Sequence, residues 1–135
     1  MDVMSSYTLK KGTYLVSDPA MIIKKTMDAR SLYETLWEVF YQNPKEFQQL
    51  IIENVQFLIT RTAEGDGIYN GVGTDSGTIM IISVDDHIHD ERLNLDLDRR
   101  GMLTLRLDEE MTVEMKRYNL YFSNSIQIIT NSVDL

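Results

Sequence analysis

The segment from Glu64 to Gly77 has the residue types of a phosphate or cation site. It holds five of the seven glycines of the 135-residue chain, interleaved with the polar residues Asp66, Tyr69, Asp75 and Ser76. Glycine permits positive φ and close backbone approach, so such a loop can surround a phosphate or direct carboxylates at a cation. The spacing does not fit GxxxxGK[ST], because no lysine follows, and a strand pattern after Gly77 excludes GxGxxG before a helix.

Two other interpretations apply to the same segment. Asp66-Gly67 and Asn70-Gly71 are pairs typical of hairpin turns, which favours two tight turns joining strands over a ligand loop. The sequence Asp75-Ser76-Gly77 matches the Asp-Ser/Thr-Gly signature of aspartic proteases. That signature normally follows apolar residues, however, and this chain has Gly73-Thr74 there. The flanks therefore disfavour a protease.

The polar run from Asp85 to Glu91 contains both histidines of the chain, His87 and His89. If the run is a strand, this spacing places both rings on one face, where they could bind a divalent metal together with a carboxylate. The alternative is a solvated polar loop, which is the more common role of such charge runs. No third distant ligand can be identified from the sequence. We therefore expect no cofactor, and we treat a metal at His87 and His89 as a hypothesis.

Catalytic machinery of other kinds is not evident in the sequence. The chain has no cysteine, which excludes disulfides, thiolate zinc sites and a cysteine nucleophile. It has no GxSxG or HExxH motif and no triad that can be assembled from spacing. No constellation therefore argues for an enzyme, and a binding role is the preferred interpretation.

The distribution of charge indicates the kind of partner. The net charge is −8, and residues 62–135 carry fourteen acidic and six basic side chains, while residues 1–61 carry seven of each. An acidic surface repels phosphates, which disfavours direct binding to nucleic acid. It attracts basic protein surfaces. No apolar run is long enough to cross a bilayer and the N-terminus lacks a signal-peptide pattern, so we expect a soluble, cytoplasmic protein without membrane contact.

The first half of the chain predicts one strand and two helices. Residues 13–16 are β-branched or aromatic and end before Asp18-Pro19, which is typical of a strand. Helical periodicity from Leu32 to Gln42 places apolar residues on one broad face, including the aromatic stripe Tyr33, Trp37 and Tyr41. That stripe could pack on a sheet or take part in an interface. Asn43, Pro44 and Glu46 then predict the start of a second helix that ends near Asn54.

The second half of the chain is strand-like. Residues 55–62 and 78–84 predict two strands, the latter apolar enough to be central in a sheet. Alternating apolar residues at 93–97, 103–107 and 111–115 predict three more, with hairpin turns at 99–101 and 108–110. Residues 118–122 and 126–130 add two candidates. One domain spanning residues 1–135 follows, of class α+β: a two-helix segment packed on a mainly antiparallel sheet, sandwich or partly open barrel.

Two segments of the chain, residues 12–19 and 62–79, carry three short sequence motifs. Residues 12–19 have the form G-x-Y-x-V-x-D-P, and residues 62–69 have the form T-x-x-G-D-G-x-Y. Residues 74–79 fit V-D-S-G-x-I except that Thr74 replaces the valine. In this order the motifs resemble those of a group of small proteins abundant in bacteriophages and also found in bacteria. Ala20-Met21 departs from the group, which usually has cysteine and tyrosine there.

The resemblance implies a phage or bacterial intracellular protein whose shared polar residues converge in space. These residues are Asp18, Asp66, Tyr69, Asp75 and Ser76. Two functions remain open. The first is a non-enzymatic modulator or inhibitor that binds a basic host protein through an acidic, β-rich surface. The alternative is a protein that handles a small ligand or nucleotide through the glycine-rich segment, a class that includes metal-dependent hydrolases.

Overall fold

The computed structural model describes residues 5–42, 45–123 and 126–132. It has three layers, formed by a four-stranded sheet, a five-stranded sheet and one long helix. All strand pairs in the two sheets are antiparallel. The class is therefore α+β, as the sequence predicts.

The five-stranded sheet is the centre of the molecule. Its strands, in spatial order, are β3 (Phe47–Ile52), β4 (Val55–Arg61), β7 (Thr78–Ser83), β2 (Gly12–Ser17) and β8 (Leu103–Leu107). Five of the six residues of β7 are buried, because this middle strand is covered on both faces. The sequence prediction of strands at 13–16, at 55–62 and at a central 78–84 is confirmed.

The four-stranded sheet covers one face of the larger sheet. Its spatial order is β1 (Ser5–Leu9), β9 (Met111–Lys116), β10 (Asn119–Phe122) and β11 (Gln127–Ile128). Alternate residues of the two sheets, among them Val16, Ile81, Val113 and Leu120, form one apolar core between them. The two sheets are thus a sandwich. A small hairpin, β5 (Gly67–Tyr69) with β6 (Val72–Thr74), lies outside both sheets.

The long helix covers the other face of the five-stranded sheet. Helix α2 (Arg30–Gln42) buries Leu32, Leu36 and Phe40, which recur at the four-residue spacing of a helix face. These side chains pack with Leu15, Ile59, Met80 and Ile82 in a second apolar core. A short helix α1 (Pro19–Ile22) and a 3-10 turn (Met27–Ala29) lead into α2.

The second predicted helix is wrong, because residues 47–52 form strand β3. This strand pairs residue for residue with β4, from Phe47 opposite Thr60 to Ile52 opposite Val55. Glu53 and Asn54 both have positive φ, 48° and 69°, as a two-residue hairpin turn requires. The apolar spacing of residues 47–52 also fits a helix, but pairing with the strand that follows directly in the sequence determines the structure here. The predicted helix start at Asn43 and Pro44 lies outside the described residues.

One predicted strand and two predicted hairpin turns are also wrong. Residues 93–97 form no strand; Leu93 makes only an isolated bridge with Ile23. Consequently residues 99–101 close no hairpin. Strands β8 and β9 lie in different sheets, so residues 108–110 cross from one layer to the other. Alternation shows that one face of a strand is buried, but it does not identify the neighbouring strand.

Within the described residues, no helix has both the length and the apolar character needed to cross a membrane.

The predicted strand at 118–122 is present as β10, and the one at 126–130 is confined to the two residues of β11.

Candidate functional site

Asp18 stands where β2 ends, and its carboxylate joins two parts of the fold. The residue is extended (φ −61°, ψ 135°) and precedes Pro19, the first residue of α1. Its Oδ1 accepts a hydrogen bond from the backbone N–H of Ala20 at 2.7 Å. Asp18 is therefore the N-cap of α1.

The other carboxylate oxygen of Asp18 holds the turn between β6 and β7. Oδ2 accepts from the backbone N–H groups of Asp75 at 2.8 Å and Ser76 at 3.0 Å. The Ser76 hydroxyl donates to the same oxygen at 3.0 Å, and the Thr74 hydroxyl lies 2.8 Å from it. With only 3% of its surface exposed, the Asp18 side chain is enclosed by these donors. We call this arrangement the Asp18 latch.

Hydroxyl groups extend the latch into β7. Thr78 Oγ1 and Ser76 Oγ are 2.6 Å apart, and the Thr78 N–H donates to Thr74 Oγ1 at 3.3 Å. Thr74 and Thr78 are both buried. Sequence reasoning missed these two threonines as part of the site, although each flanks the Asp75-Ser76-Gly77 motif.

The hydrogen bonds of the latch control the pKa of Asp18. Burial alone would raise this pKa, because it disfavours the charged carboxylate. The bonds donated by Ala20, Thr74, Ser76 and Asp75 outweigh burial and lower the pKa below its ordinary value of 3.8. Asp18 is thus held ionised, and five donors surround its two oxygens.

The structure brings only some of the predicted site residues to the latch. Asp75 contributes its backbone N–H, and its carboxylate is exposed. Asp66 is also exposed, and its Oδ1 lies 3.9 Å from the position that a Cβ on Gly77 would occupy. The Tyr69 hydroxyl donates to the Gly65 carbonyl at 2.8 Å within its own hairpin. Asp18, Asp75 and Ser76 therefore meet directly, Asp66 lies near Gly77 of the same turn, and Tyr69 bonds within its own hairpin.

The glycine-rich segment contains the tight turn that the Asn70-Gly71 pair predicts, whereas Gly67 of the Asp66-Gly67 pair is the first residue of β5. Asn70 and Gly71, which join β5 to β6, have φ of 52° and 89°. This is the backbone of a two-residue hairpin with positive φ at both positions. Gly77 has φ 69° at the entry to β7. The backbone conformation therefore favours glycine at positions 71 and 77.

His87 lies in a 3-10 turn (Asp85–His87), so the predicted placement of both histidines on one strand is wrong. The buried His87 ring bonds to backbone groups at both nitrogens. Nε2 accepts from the Gln56 N–H at 3.1 Å, and Nδ1 is 2.8 Å from the Ser83 carbonyl. Because Nε2 must accept, the Nδ1–H tautomer fits this arrangement. His89 is exposed.

Metal-ligating groups do not cluster in the part of the chain that the structure describes. No group of three or more His, Asp or Glu side chains is arranged there to hold a metal ion. Every buried side-chain nitrogen or oxygen among those residues also has a hydrogen-bond partner. No orphaned polar atom points to a missing ligand.

Carboxylates gather at the end of the five-stranded sheet opposite the Asp18 latch. The strand registers bring four connections there: the β1–β2, β3–β4 and β8–β9 connections and the residues after β7. Eight acidic residues occupy these connections: Glu53, Asp85, Asp86, Asp90, Glu91, Asp108, Glu109 and Glu110. Three cations accompany them: Lys10, Lys11 and Arg92. We call this surface the acidic end.

Half of these carboxylates are neutralised or bonded internally. Lys10 pairs with Asp86 at 2.7 Å, and Arg92 pairs with Glu53 at 2.9 Å and Asp90 at 2.8 Å. Asp85 accepts from the Thr13 N–H at 2.9 Å. The other four are exposed, with no ion pair among the described residues: Glu91, Asp108, Glu109 and Glu110.

A second surface feature is the aromatic stripe of α2. Tyr33 and Trp37 are half-buried and Tyr41 is 63% exposed. The stripe borders a shallow groove of about 420 Å³, whose other side is formed by the latch residues Asp18, Asp75 and Ser76 with Ala20. The three aromatic rings are thus only partly used in packing the helix.

Comparison with known protein families, with curated proteins and with solved structures finds no match to this chain.

Proposed function

We propose that this chain is a non-enzymatic binding protein, of the kind that a phage uses to modulate or inhibit a protein in the host cytoplasm. Its acidic end would dock on a basic surface of that bacterial protein. The observation that carries the proposal is the gathering of eight carboxylates and three cations on four connections at one end of the sheet. Seven of the fourteen acidic residues of 62–135 thus lie on one surface, together with Glu53.

The unpaired carboxylates give this surface its selectivity. Glu91 and residues 108–110 are exposed and free to pair with lysine or arginine across an interface. Such charges mainly steer association and exclude acidic partners. Ile88 adds an apolar contact, because 63% of its surface is exposed in the middle of the acidic run.

The alternative function, a metal-dependent or nucleotide-handling site in the glycine-rich segment, has less support from the geometry. The Asp18 oxygens already accept from five donors, and both His87 nitrogens are bonded to backbone. Asp66 and Asp75 remain, each on an exposed turn. A thermal-shift screen with divalent cations and nucleotides separates the two functions. A saturable rise in Tm that is lost in Asp66→Asn or Asp75→Asn would favour the alternative.

Two variants of equal net charge test the acidic end. The acidic-end variant is Asp108→Asn, Glu109→Gln, Glu110→Gln. The matched control variant neutralises three exposed glutamates at other places: Glu38→Gln, Glu46→Gln and Glu114→Gln. Each variant lowers the net negative charge by three, so general charge effects cancel in the comparison.

The assay is capture from a bacterial lysate with each protein immobilised at low and at high salt. We expect wild type and the matched control variant to retain one and the same basic protein at low salt and to release it at high salt. The acidic-end variant should bind it about tenfold more weakly, on the usual contributions of exposed ion pairs. Equal retention by both variants, or no retained protein with wild type, would contradict the proposal.

A further inference from the structure

The groove between α2 and the latch has the chemistry of a cation site with aromatic walls. We propose that this groove binds the guanidinium group of an arginine side chain presented by a partner protein. It lies on a surface other than the acidic end, so the two sites can be tested separately.

The aromatic wall is formed by residues spaced four apart on α2. The Trp37 and Tyr41 rings are stacked, with centroids 5.9 Å apart and planes at 27°. The Tyr33 ring meets Trp37 edge-on at 5.8 Å and 81°. The three rings are not coplanar, and Tyr41 is the most exposed of them. An exposed ring face attracts a cation through its negative charge.

The opposite wall supplies one available negative charge. Two carboxylates line the groove, those of Asp18 and Asp75, and among the residues described no lysine or arginine lines it. Asp18 is ionised but already accepts from five donors. The Asp75 carboxylate is exposed, with no hydrogen bond or ion pair among the described residues. Asp75 is therefore the group that would pair with an incoming cation.

Arginine fits these two walls better than lysine. Its planar guanidinium can stack on an exposed ring face of the aromatic wall while its edge donates two parallel hydrogen bonds to the Asp75 carboxylate. A lysine ammonium is more strongly hydrated and cannot stack as a plane. The side chain of one arginine is also small enough for a groove of about 420 Å³.

A neighbouring groove limits the site to a single arginine. On the other side of Ala20 and Tyr33, Lys24 and Lys25 are exposed and line that groove, together with Arg30. Arg30 pairs with Glu34 at 2.8 Å, but the two lysines have no ion pair among the described residues. These lysines would repel a second cation of the partner. A segment with several arginines should therefore bind with little more affinity than a segment with one.

The single tryptophan of the chain makes the test direct, because Trp37 lies in the groove and its fluorescence reports on it. The probe is the peptide acetyl-Gly-Arg-Gly-amide, titrated to millimolar concentration. The comparison peptides replace arginine with lysine or with citrulline, which has the same shape without the charge. We expect a saturable change with arginine, a change at least threefold weaker with lysine, and none with citrulline.

Variants locate the bound group. Asp75→Asn and Tyr41→Leu should each weaken arginine binding several-fold, while Glu38→Gln removes a carboxylate of the same helix outside the groove and should leave it unchanged. The acidic-end variant should also bind as wild type does, which separates this site from the proposed docking surface. Equal responses to arginine and citrulline, or binding insensitive to Asp75→Asn, would overturn the proposal.

Discussion

The substitution Asp18→Asn tests the latch with a minimal change, because it replaces one carboxylate oxygen by an amide nitrogen. An amide has one acceptor oxygen and one donor nitrogen, whereas the Asp18 carboxylate accepts at both oxygens. Oδ1 caps α1 through Ala20, and Oδ2 holds the turn at Asp75 and Ser76. The single oxygen of asparagine can accept from the helix N–H or from the turn N–H groups, but it cannot accept from both.

The cost follows from the bonds that are lost. If the amide oxygen takes the Oδ2 position, its nitrogen faces the Ala20 N–H, which is 2.7 Å from Oδ1 in the wild type. A buried donor left unsatisfied costs about 1–3 kcal/mol. The remaining bonds also lose their ionic character, which adds about 1 kcal/mol. We therefore expect a loss of about 3 kcal/mol in the free energy of unfolding.

Urea unfolding followed by Trp37 fluorescence measures this loss as a lower midpoint at unchanged m-value. Asp75→Asn is the matched control, since the same chemical change is made on an exposed side chain whose backbone N–H is retained. It should alter the free energy of unfolding by less than about 0.5 kcal/mol. If Asp18→Asn is as stable as Asp75→Asn, the latch does not stabilise the fold as we describe.

The lowered pKa of Asp18 adds a pH dependence with a definite sign. Because the folded pKa lies below the ordinary value of 3.8, the latch is at full strength above about pH 5. The stabilisation by the latch is lost as the pH falls below the ordinary value of 3.8 and through the folded pKa of Asp18. Asp18→Asn has no such group. The stability difference between wild type and this variant should therefore narrow in acid, and a constant difference would argue against the assigned cause.

Two further predictions concern the stability of the fold at Gly12 and at His87. Gly12→Ala should destabilise by more than about 1 kcal/mol, because its φ is +145° and a Cβ would lie 2.6 Å from Asp85 Oδ2; a neutral effect in urea unfolding would be unexpected. His87→Ala should cost about 1–3 kcal/mol because the Gln56 N–H loses its acceptor, whereas the exposed His89→Ala should be near neutral. Equal thermal stability of the two histidine variants would show that the ring bonds contribute nothing.

Local patterns were sufficient for the elements with the clearest periodicity. The helical spacing of Leu32, Leu36 and Phe40 predicts α2, and the continuous apolar run of β7 predicts its central place in the sheet. The spacing of Phe47, Leu50 and Ile51 fits a helix as well as a strand. Pairing with β4 across the Glu53-Asn54 turn decides between them, and the spacing of these three residues alone does not predict that pairing.

The candidate site shows the same limit. The motif resemblance implied that Asp18, Asp66, Tyr69, Asp75 and Ser76 converge. The structure joins Asp18, Asp75 and Ser76 in the latch and leaves the other two side chains outside it. The roles of these three latch residues depend on hydrogen bonds between residues 57 and 58 positions apart in the chain, which only the folded structure supplies. Likewise, the charge asymmetry could be counted in the sequence, but its concentration at the acidic end follows from the strand registers.

The most direct test of the binding proposal is the affinity of the captured partner for wild type, for the acidic-end variant and for the matched control variant as salt is increased. We predict that wild type and the matched control variant bind equally and weaken together with salt, while the acidic-end variant binds about tenfold more weakly at low salt and depends less on salt. Identical affinities for all three proteins across the salt series would contradict a docking role for the acidic end.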